Sequence, residues 1–417
     1  MEIERNLYLQ KLINKECNGL IKIITGVRRC GKSYILFNLF KKHLLNSGTH
    51  QKNIITLALD DFKNKEYQTP QKLYDFVTSK IKNNKQYFVL LDEIQLVPDF
   101  ESVLIGFLHI PNVDVYVTGS NSRFLSSDIV TEFRGRGDEI RVYPLSFSEI
   151  YSTLGGDKNK LWNNYYIYGG MPLVLSMKTN EEKATYLKNL FNQVYLSDII
   201  NRYNLRGNEE VAELVNIIAS SVGSLTNPER IANTFNTQKK IKIAQKTISA
   251  YLDYLEDSFL IEKSLRYNVK GRKYINTPFK YYFVDVGLRN ARLNFRQNEE
   301  NHLMENVIYN ELVMRGFSVD VGVVEINIVD GNGKKIRKQL EIDFVANLAS
   351  KRYYIQSALV LGTKEKMEQE EQSFLNINDS FKKIIIQKED VEPWHNDDGI
   401  LTIGLFDFLL KPESIDW

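Results

Sequence analysis

The stretch Leu20–Phe40, LIKIITGVRRCGKSYILFNLF, decides how this chain reads. Leu20, Ile21, Ile23 and Ile24 form an apolar run, Gly26 to Ser33 (GVRRCGKS) fits GxxxxGK[ST] without a gap, and Ile35, Leu36, Leu39 and Phe40 recur at helical spacing. A buried strand, a glycine loop and a helix in that order make a cradle for phosphate. Gly26 and Gly31 let the backbone curl so that the amides of Val27, Arg28, Arg29 and Cys30 turn inward, on a path where a side chain would clash. Lys32 supplies a point charge for terminal phosphates. Ser33 places a hydroxyl where a magnesium ligand is wanted, and Tyr34 opens a helix whose N-terminus favours anions. A chance glycine turn is the alternative, and the correct flanks on both sides speak against it.

Working outward, two further apolar runs, Asn53 to Leu59 and Tyr87 to Leu91, end in acids: Asp60 with Asp61, and Asp92 with Glu93. A run apolar at every position, as Tyr87 to Leu91 is, suits a parallel strand covered on both faces, and carboxylates at its C-terminal end fall on the edge where such sheets bind ligands. Asp92 is expected to share Mg2+ with Ser33. Glu93, facing the other way along the strand, is expected to orient or deprotonate an attacking water. Val113 to Thr118 reads as another buried strand ending in Gly119, Ser120, Asn121 and Ser122, so Asn121 and Ser120 are candidate sensors of a γ-phosphate, with a plain turn as the alternative. Arg134 and Arg136 stand among glycines ahead of a strand at Glu139 to Tyr143. Arg136 is a candidate to contact phosphate in cis or across a subunit boundary, with a solvated arginine as the alternative. Arg5 or Tyr8, on a short amphipathic helix from Glu4 to Leu12, could approach a base, with surface packing as the alternative. The ligands implied are ATP and Mg2+.

The 417 residues exceed one compact core and suggest about three domains. With 43% hydrophobic and 25% charged residues the composition is that of a globular protein, and a net charge of +2 means that any nucleic-acid surface must be a local patch. Two cysteines, Cys17 and Cys30, make no disulfide framework. The opening MEIERNLYLQKL lacks the apolar core of a signal peptide, and no run approaches the ~20 apolar residues that cross a bilayer, so a cytoplasmic protein without a membrane partner is expected.

Taken together, the motifs resemble those of prokaryotic AAA-type ATPases of the archaeal-ATPase-like branch, within the STAND group of P-loop switches. The residues that carry the resemblance are GVRRCGKS, LLDEIQ at Leu90–Gln95, TGSNS at Thr118–Ser122, FRGR at Phe133–Arg136 and PLSFSEI at Pro144–Ile150. It continues through YGGMP at Tyr168–Pro172, YLSDII at Tyr195–Ile200 and KYYFVDVGLRNA at Lys280–Ala291. The resemblance implies a P-loop domain joined to a winged helix and to a C-terminal domain similar to restriction endonucleases. The expected fold class is therefore α/β: a P-loop NTPase parallel sheet over residues 1–160, a helical connector and winged helix over 161–275, and a small, degenerate restriction-endonuclease-like α/β domain over 276–417.

Residue patterns fill in the later parts. Glu181 to Arg202 reads as one long helix, and helices at Val211–Ser221, from Asn227-Pro228 and at Thr247–Leu255, followed by Phe259–Tyr267 and a turn at Gly271, give the order of a winged helix. Between Lys239 and Lys273 nine Lys or Arg stand against four acids. They suit a DNA-binding face through Lys246, Ser249, Arg272 and Lys273, or a protein joint that accommodates Glu256 and Asp257. Further on, Glu305 on a helix and Asp343 with Glu341 on a strand supply acids of the kind a magnesium nuclease uses. Gln356 and Ala358 stand where that nuclease needs [DE]-x-K, so loss of cutting is expected unless Lys364 or Lys366 substitutes. The function expected is an ATP-binding and hydrolysing switch that couples nucleotide state to a protein or nucleic-acid partner, its oligomeric state left open. The alternatives are a DNA-binding winged-helix protein with a regulatory ATPase, and a metal-dependent nuclease.

Overall fold

The computed structural model describes residues 3–119, 133, 135–205, 208–239, 242–329, 333 and 335–417. They divide into two compact units, Met1–Leu145 with Asp257–Phe259, and Ser146–Glu256 with Leu260–Trp417.

The first unit is built on five parallel strands, β1 (Ile21–Thr25), β2 (Ile54–Ala58), β3 (Tyr87–Asp92), β4 (Val113–Thr118) and β5 (Gly137–Arg141), in the order β2-β3-β4-β1-β5. β1 and β3 are buried at every position, as their unbroken apolar runs require of strands with helices on both faces. One face packs Ile21, Ile23, Val89, Leu91, Val115 and Val117 against Phe100, Leu104 and Phe107. Because the strands are parallel, their C-terminal ends share one edge. The loop after β1, the acids after β3 and the tip of β4 therefore meet there, with β4 lying between β1 and β3.

The second unit opens with helices Phe147–Leu154 and Lys158–Tyr168. A continuous helical run from Asn180 to Arg202, with a wider turn at Leu190–Leu196, follows, and then Asn208–Ser220, Pro228–Thr234 and Gln245–Asp257. Its sheet has eight strands: β6 (Ile261–Asn268), β7 (Lys273–Phe283), β8 (Ser318–Val329), β9 (Lys335–Leu348), β10 (Lys351–Ala358), β11 (Lys382–Gln387), β12 (Trp394–His395) and β13 (Leu401–Gly404). Their order is β12-β13-β11-β10-β9-β8-β6-β7. The hairpin expected as a wing is β6 with β7, and it is the edge of this sheet: Arg266, Tyr267 and Asn268 of β6 pair in parallel with Val321, Gly322 and Val323 of β8. The expected division between 275 and 276 falls inside β7.

Two of the quoted motifs form a packing joint within this unit. Gly169 (φ +68°) and Gly287 allow Tyr168–Gly170 to lie directly on Asp285–Gly287, since a Cβ on Gly287 would sit 2.1 Å from the Tyr168 carbonyl oxygen. Asp285 caps the helix Val286–Arg292 by accepting the Leu288 N–H at 2.8 Å and also accepts the Gly170 N–H at 2.7 Å. Burial pushes its carboxyl up to about 6, against the pull of those amides.

Candidate functional site: the phosphate loop and the ends of β3 and β4

Gly26 follows β1 at φ +134°, and a Cβ there would fall 2.1 Å from the Val142 carbonyl oxygen, so the loop can leave the sheet only through a glycine. Gly31, at φ 103°, turns the chain into the helix that starts at Lys32. Arg5 braces the loop from outside. It is 2% exposed, and its guanidinium donates to the Cys30 carbonyl at 2.9 Å and the Tyr143 carbonyl at 2.7 Å while lying over the Tyr8 ring. The Tyr8 hydroxyl accepts the Tyr143 N–H at 3.1 Å. Arg5 and Tyr8 thus fasten the loop to the chain beyond β5, which agrees with packing and not with approach to a base, though both are buried and not on the surface. The rigid fork of an arginine suits two converging carbonyls, and burial holds it there.

Lys32 is 4% exposed, and its ammonium donates to the carbonyls of Gly26 and Val27, 3.0 Å each. Among the described residues no carboxylate pairs with it. An ammonium met in a low-dielectric site only by neutral carbonyls has no counter-charge of its own, which is the condition for attracting an anion into the loop. The residues therefore fit a phosphate group.

Asp92 closes β3, is 4% exposed, and accepts hydrogen bonds from the Thr118 and Ser33 hydroxyls. Burial raises its carboxyl above the usual carboxylate range, and the two hydroxyls pull it back. The loop serine and the strand acid, 59 positions apart in sequence, are thus brought to one place. A hydroxyl and a carboxylate brought together beside a phosphate loop are the oxygen donors that Mg2+ takes. Thr118, at the tip of β4, joins the group because β4 lies between the other two strands. Besides donating to Asp92, its hydroxyl accepts the Glu93 N–H at 3.0 Å. Sequence reading stopped at Ser120 and Asn121 and passed over Thr118; the signal was there, a polar residue ending a buried strand.

Glu93 does not continue the strand. It stands at φ 54°, in a left-handed turn that re-aims its side chain, and its carboxylate accepts from the Gln95 amide. Arg136 is not brought to the loop. Its carbonyl accepts the Ile21 N–H at 2.8 Å, and Gly137 pairs with Ile21, so it stands at the start of β5 beside the start of β1. Five strand residues at about 3.3 Å each separate that edge from the loop, roughly 16 Å, and exclude a contact in cis. Ser120, Asn121 and Arg134 lie outside the described residues.

The acids of the second unit behave differently. Lys280 of β7, with 3% of its side chain exposed, places its ammonium 2.9 Å from Glu305, 2.8 Å from Glu341 and 3.9 Å from Asp343. The Tyr282 hydroxyl donates to Glu305 at 2.7 Å. Burial works to deprotonate Lys280, but Glu305, Asp343 and Glu341 outweigh it and hold the ammonium protonated well above its usual range. Burial and then the Glu305 charge push the Asp343 carboxyl up to about 8, against Lys280. One ammonium cannot balance three carboxylates, which is why the Asp343 carboxyl holds its proton to a higher pH than an ordinary aspartate. Gln356 braces this strand pair by accepting the Asp343 N–H at 2.7 Å, and Ala358 is buried in the core. Lys364 pairs with Glu368 on an exposed helix, so it does not supply the missing lysine. The position a metal would need among the three acids is held by Lys280, and among the described residues no cluster of metal-binding side chains is found.

Of the basic run before β7, Arg266 is 8% exposed and donates to Gln339 at 2.9 Å, Lys263 lies over the Phe279 ring, and Lys270 donates to the Glu325 carbonyl. Lys246, Arg272 and Lys273 are exposed, and Glu256 accepts from the Tyr281 hydroxyl at 2.9 Å. Lys240 lies outside the described residues. Among the described residues no helix is long and apolar enough to cross a membrane.

Comparison with known proteins adds the following. A family described as an AAA domain matches residues 18–151, and a domain of unknown function matches residues 159–299. An uncharacterized protein of Haemophilus influenzae is 33% identical over 415 residues, 98% of this chain and 99% of the relative. An uncharacterized protein of Methanocaldococcus jannaschii is 29% identical over 364 residues, 82% of this chain and 74% of the relative. Among solved structures, the Aeropyrum pernix Orc1 protein in complex with DNA is 11% identical with a TM-score of 0.31, over 70% of this chain and 92% of that one, a likeness too slight to weigh.

Proposed function

The chain belongs to one family with the Haemophilus influenzae protein that it matches along nearly its whole length, and on that premise we propose that it is an ATP-hydrolysing molecular switch whose nucleotide state is coupled to a macromolecular partner. The observation that carries this reading is the buried, uncompensated ammonium of Lys32 inside a glycine loop.

In the proposed site the amides from Gly26 to Ser33 and the Lys32 ammonium hold the phosphates, with Tyr34 in the first turn of the helix behind them. Ser33 and Asp92 hold Mg2+, which when bound neutralises charge on the terminal phosphate oxygens. Thr118 fixes both Asp92 and the backbone of Glu93, so the metal acid and the water acid are set by one hydroxyl. Glu93 takes the proton of the attacking water, and Gln95 orients its carboxylate. Asn121 remains the proposed γ-phosphate sensor, and Arg136 is assigned to a neighbouring copy of the chain, since its own loop lies at the far edge of the sheet. Each charge-assisted hydrogen bond to the γ-phosphate contributes about 1.5 to 3 kcal/mol, so two or three suffice to change the dominant arrangement. The proposed parts are an ATPase part, residues 1–160, a helical connector from 161, and a C-terminal part whose sheet begins with β6, ahead of the expected boundary at 275.

Of the alternatives, the metal-dependent nuclease loses its support at Lys280, which fills the acid cluster from within. Binding of DNA through the basic run rests on Lys246, Arg272 and Lys273, all three exposed. The test of the leading reading is Glu93→Gln measured for both binding and turnover: ATP still binds by calorimetry, and steady-state hydrolysis falls at least about a hundredfold. Undiminished hydrolysis would remove Glu93 as the base.

A further inference from the structure

The first unit carries a second concave site, at the edge of the sheet opposite the phosphate loop. A cavity of about 640 Å3 opens beside β2, the edge strand, and its wall holds Lys52, Lys80, Lys82, Lys85 and His50 with no Asp or Glu among the described residues. The lysines come from three segments: Lys52 just ahead of β2, Lys80 at the end of the helix Pro70–Lys80, and Lys82 and Lys85 in the loop that leads into β3. All four are exposed, and none makes an ion pair among the described residues. In a chain whose net charge is only +2, four unpaired cations around one cavity are a concentration of charge. The C-terminus of one helix carries about half a negative charge and offsets at most one of them.

The loop that bears two of these lysines is also held in place. The Tyr87 hydroxyl accepts the Lys82 N–H at 3.1 Å, and the Asn83 side chain accepts the Lys85 N–H at 3.0 Å. The Asn112 amide donates to the carbonyls of Asn83 and Lys85 at 3.0 and 2.7 Å, and Asn53 donates to the Gln86 carbonyl at 3.0 Å. These bonds hold the main chain that carries Lys82 and Lys85 before any ligand arrives, which lowers the cost of ordering that loop. Phe76 and Tyr87 supply an apolar floor, with the Lys80 ammonium over the Phe76 ring.

We infer that this cavity binds the sugar-phosphate backbone of single-stranded nucleic acid. Several point charges converging on a groove with an aromatic wall track successive phosphates without reading bases, and lysine suits a phosphate as a compact charge. The site is separate from the ATP site and does not depend on that reading. The test is fluorescence anisotropy of the full chain with a labelled oligo(dT) 20-mer, a labelled duplex of the same length and labelled polyglutamate, over a salt series. Single strands bind with a log-log salt slope of up to about −2.8, for four neutralised phosphates. Lys52→Glu, Lys80→Glu, Lys82→Glu and Lys85→Glu together weaken binding at least about tenfold and flatten the slope. The milder quadruple change to Gln weakens binding less, and Mg-ATP affinity serves as the check that both variants are folded. Reversing Lys246, Arg272 and Lys273 leaves the affinity for oligo(dT) unchanged. The inference is overturned if no strand binds, or if binding survives the four reversals. It is overturned equally if binding is lost with the Lys246 set instead, if the duplex binds more tightly, or if polyglutamate binds as well as oligo(dT), which would mark an acidic protein partner.

Discussion

Lys32 and Lys280 are 4% and 3% exposed, yet one meets two backbone carbonyls and the other meets three carboxylates. A third buried lysine, Lys22, pairs one-to-one with Asp114 over the Tyr116 ring and shows what a balanced interior charge looks like in the same chain. Burial alone therefore does not mark a site. The sign of the imbalance does: Lys32 has no carboxylate partner and is left with an excess that an anion relieves, whereas the acids around Lys280 already have a cation of the chain's own among them. Acidic residues with the spacing of a magnesium centre are in this way turned into a tie between β7, β9 and the helix Glu300–Met314.

The comparison can be broken most directly at Lys32. Lys32→Ala should weaken Mg-ATP binding at least about a hundredfold by calorimetry, the scale of two lost charge-assisted hydrogen bonds. At Lys280 the expected loss is of stability and not of ligand. Lys280→Met strands Glu305, Glu341 and Asp343 without a counter-charge and should cost about 3 to 5 kcal/mol in denaturant unfolding of the second unit. Millimolar Mn2+ should raise the melting temperature of this variant more than that of the parent. A variant as stable as the parent, or a parent equally stabilised by Mn2+, would dissolve the contrast.

Smaller effects sharpen it. Thr118→Val removes one donor to Asp92 and the acceptor of the Glu93 N–H, which should cost about 1 to 3 kcal/mol of stability and lower turnover while ATP still binds. A different kind of effect is expected on pH dependence. The Asp343 carboxyl, at about 8 in the folded chain against an ordinary value near 4 when unfolded, binds more proton folded than unfolded between those values. Its contribution to stability is therefore complete below about pH 4 and is lost as pH rises through about 8, with a slope of at most about 1.4 kcal/mol per pH unit. Asp343→Asn should remove that slope from a series of urea melts. A slope of opposite sign would mean that Lys280 leaves Asp343 ionised.

Legibility in the sequence followed locality. The strand, glycine loop and helix around Gly26–Ser33 occupy one continuous stretch, and the apolar run into Asp92 and Glu93 another, so periodicity and residue type were enough to place them on the C-terminal edge of a parallel sheet. The same holds for the long helix through Leu187 and Phe191, found as a continuous run from Asn180 to Arg202. For Arg136 and Arg5 residue type alone left two readings open. Arginine beside glycine suggests phosphate, and only strand register shows that Arg136 stands at the wrong end of β5 and Arg5 behind the loop.

What the amino-acid order determined alone is the phosphate cradle and its two acids, because glycine geometry, unbroken apolar runs and helix-opening polarity act between near neighbours. What the tertiary structure decided is which distant groups complete or cancel those charges. Thr118 reaches Asp92 because β4 lies between β1 and β3, Lys280 fills an acid cluster drawn from other elements, and the hairpin of β6 and β7 extends an eight-stranded sheet. Strand order and burial set local dielectric and ion pairing, and neither is a property of a short stretch of chain.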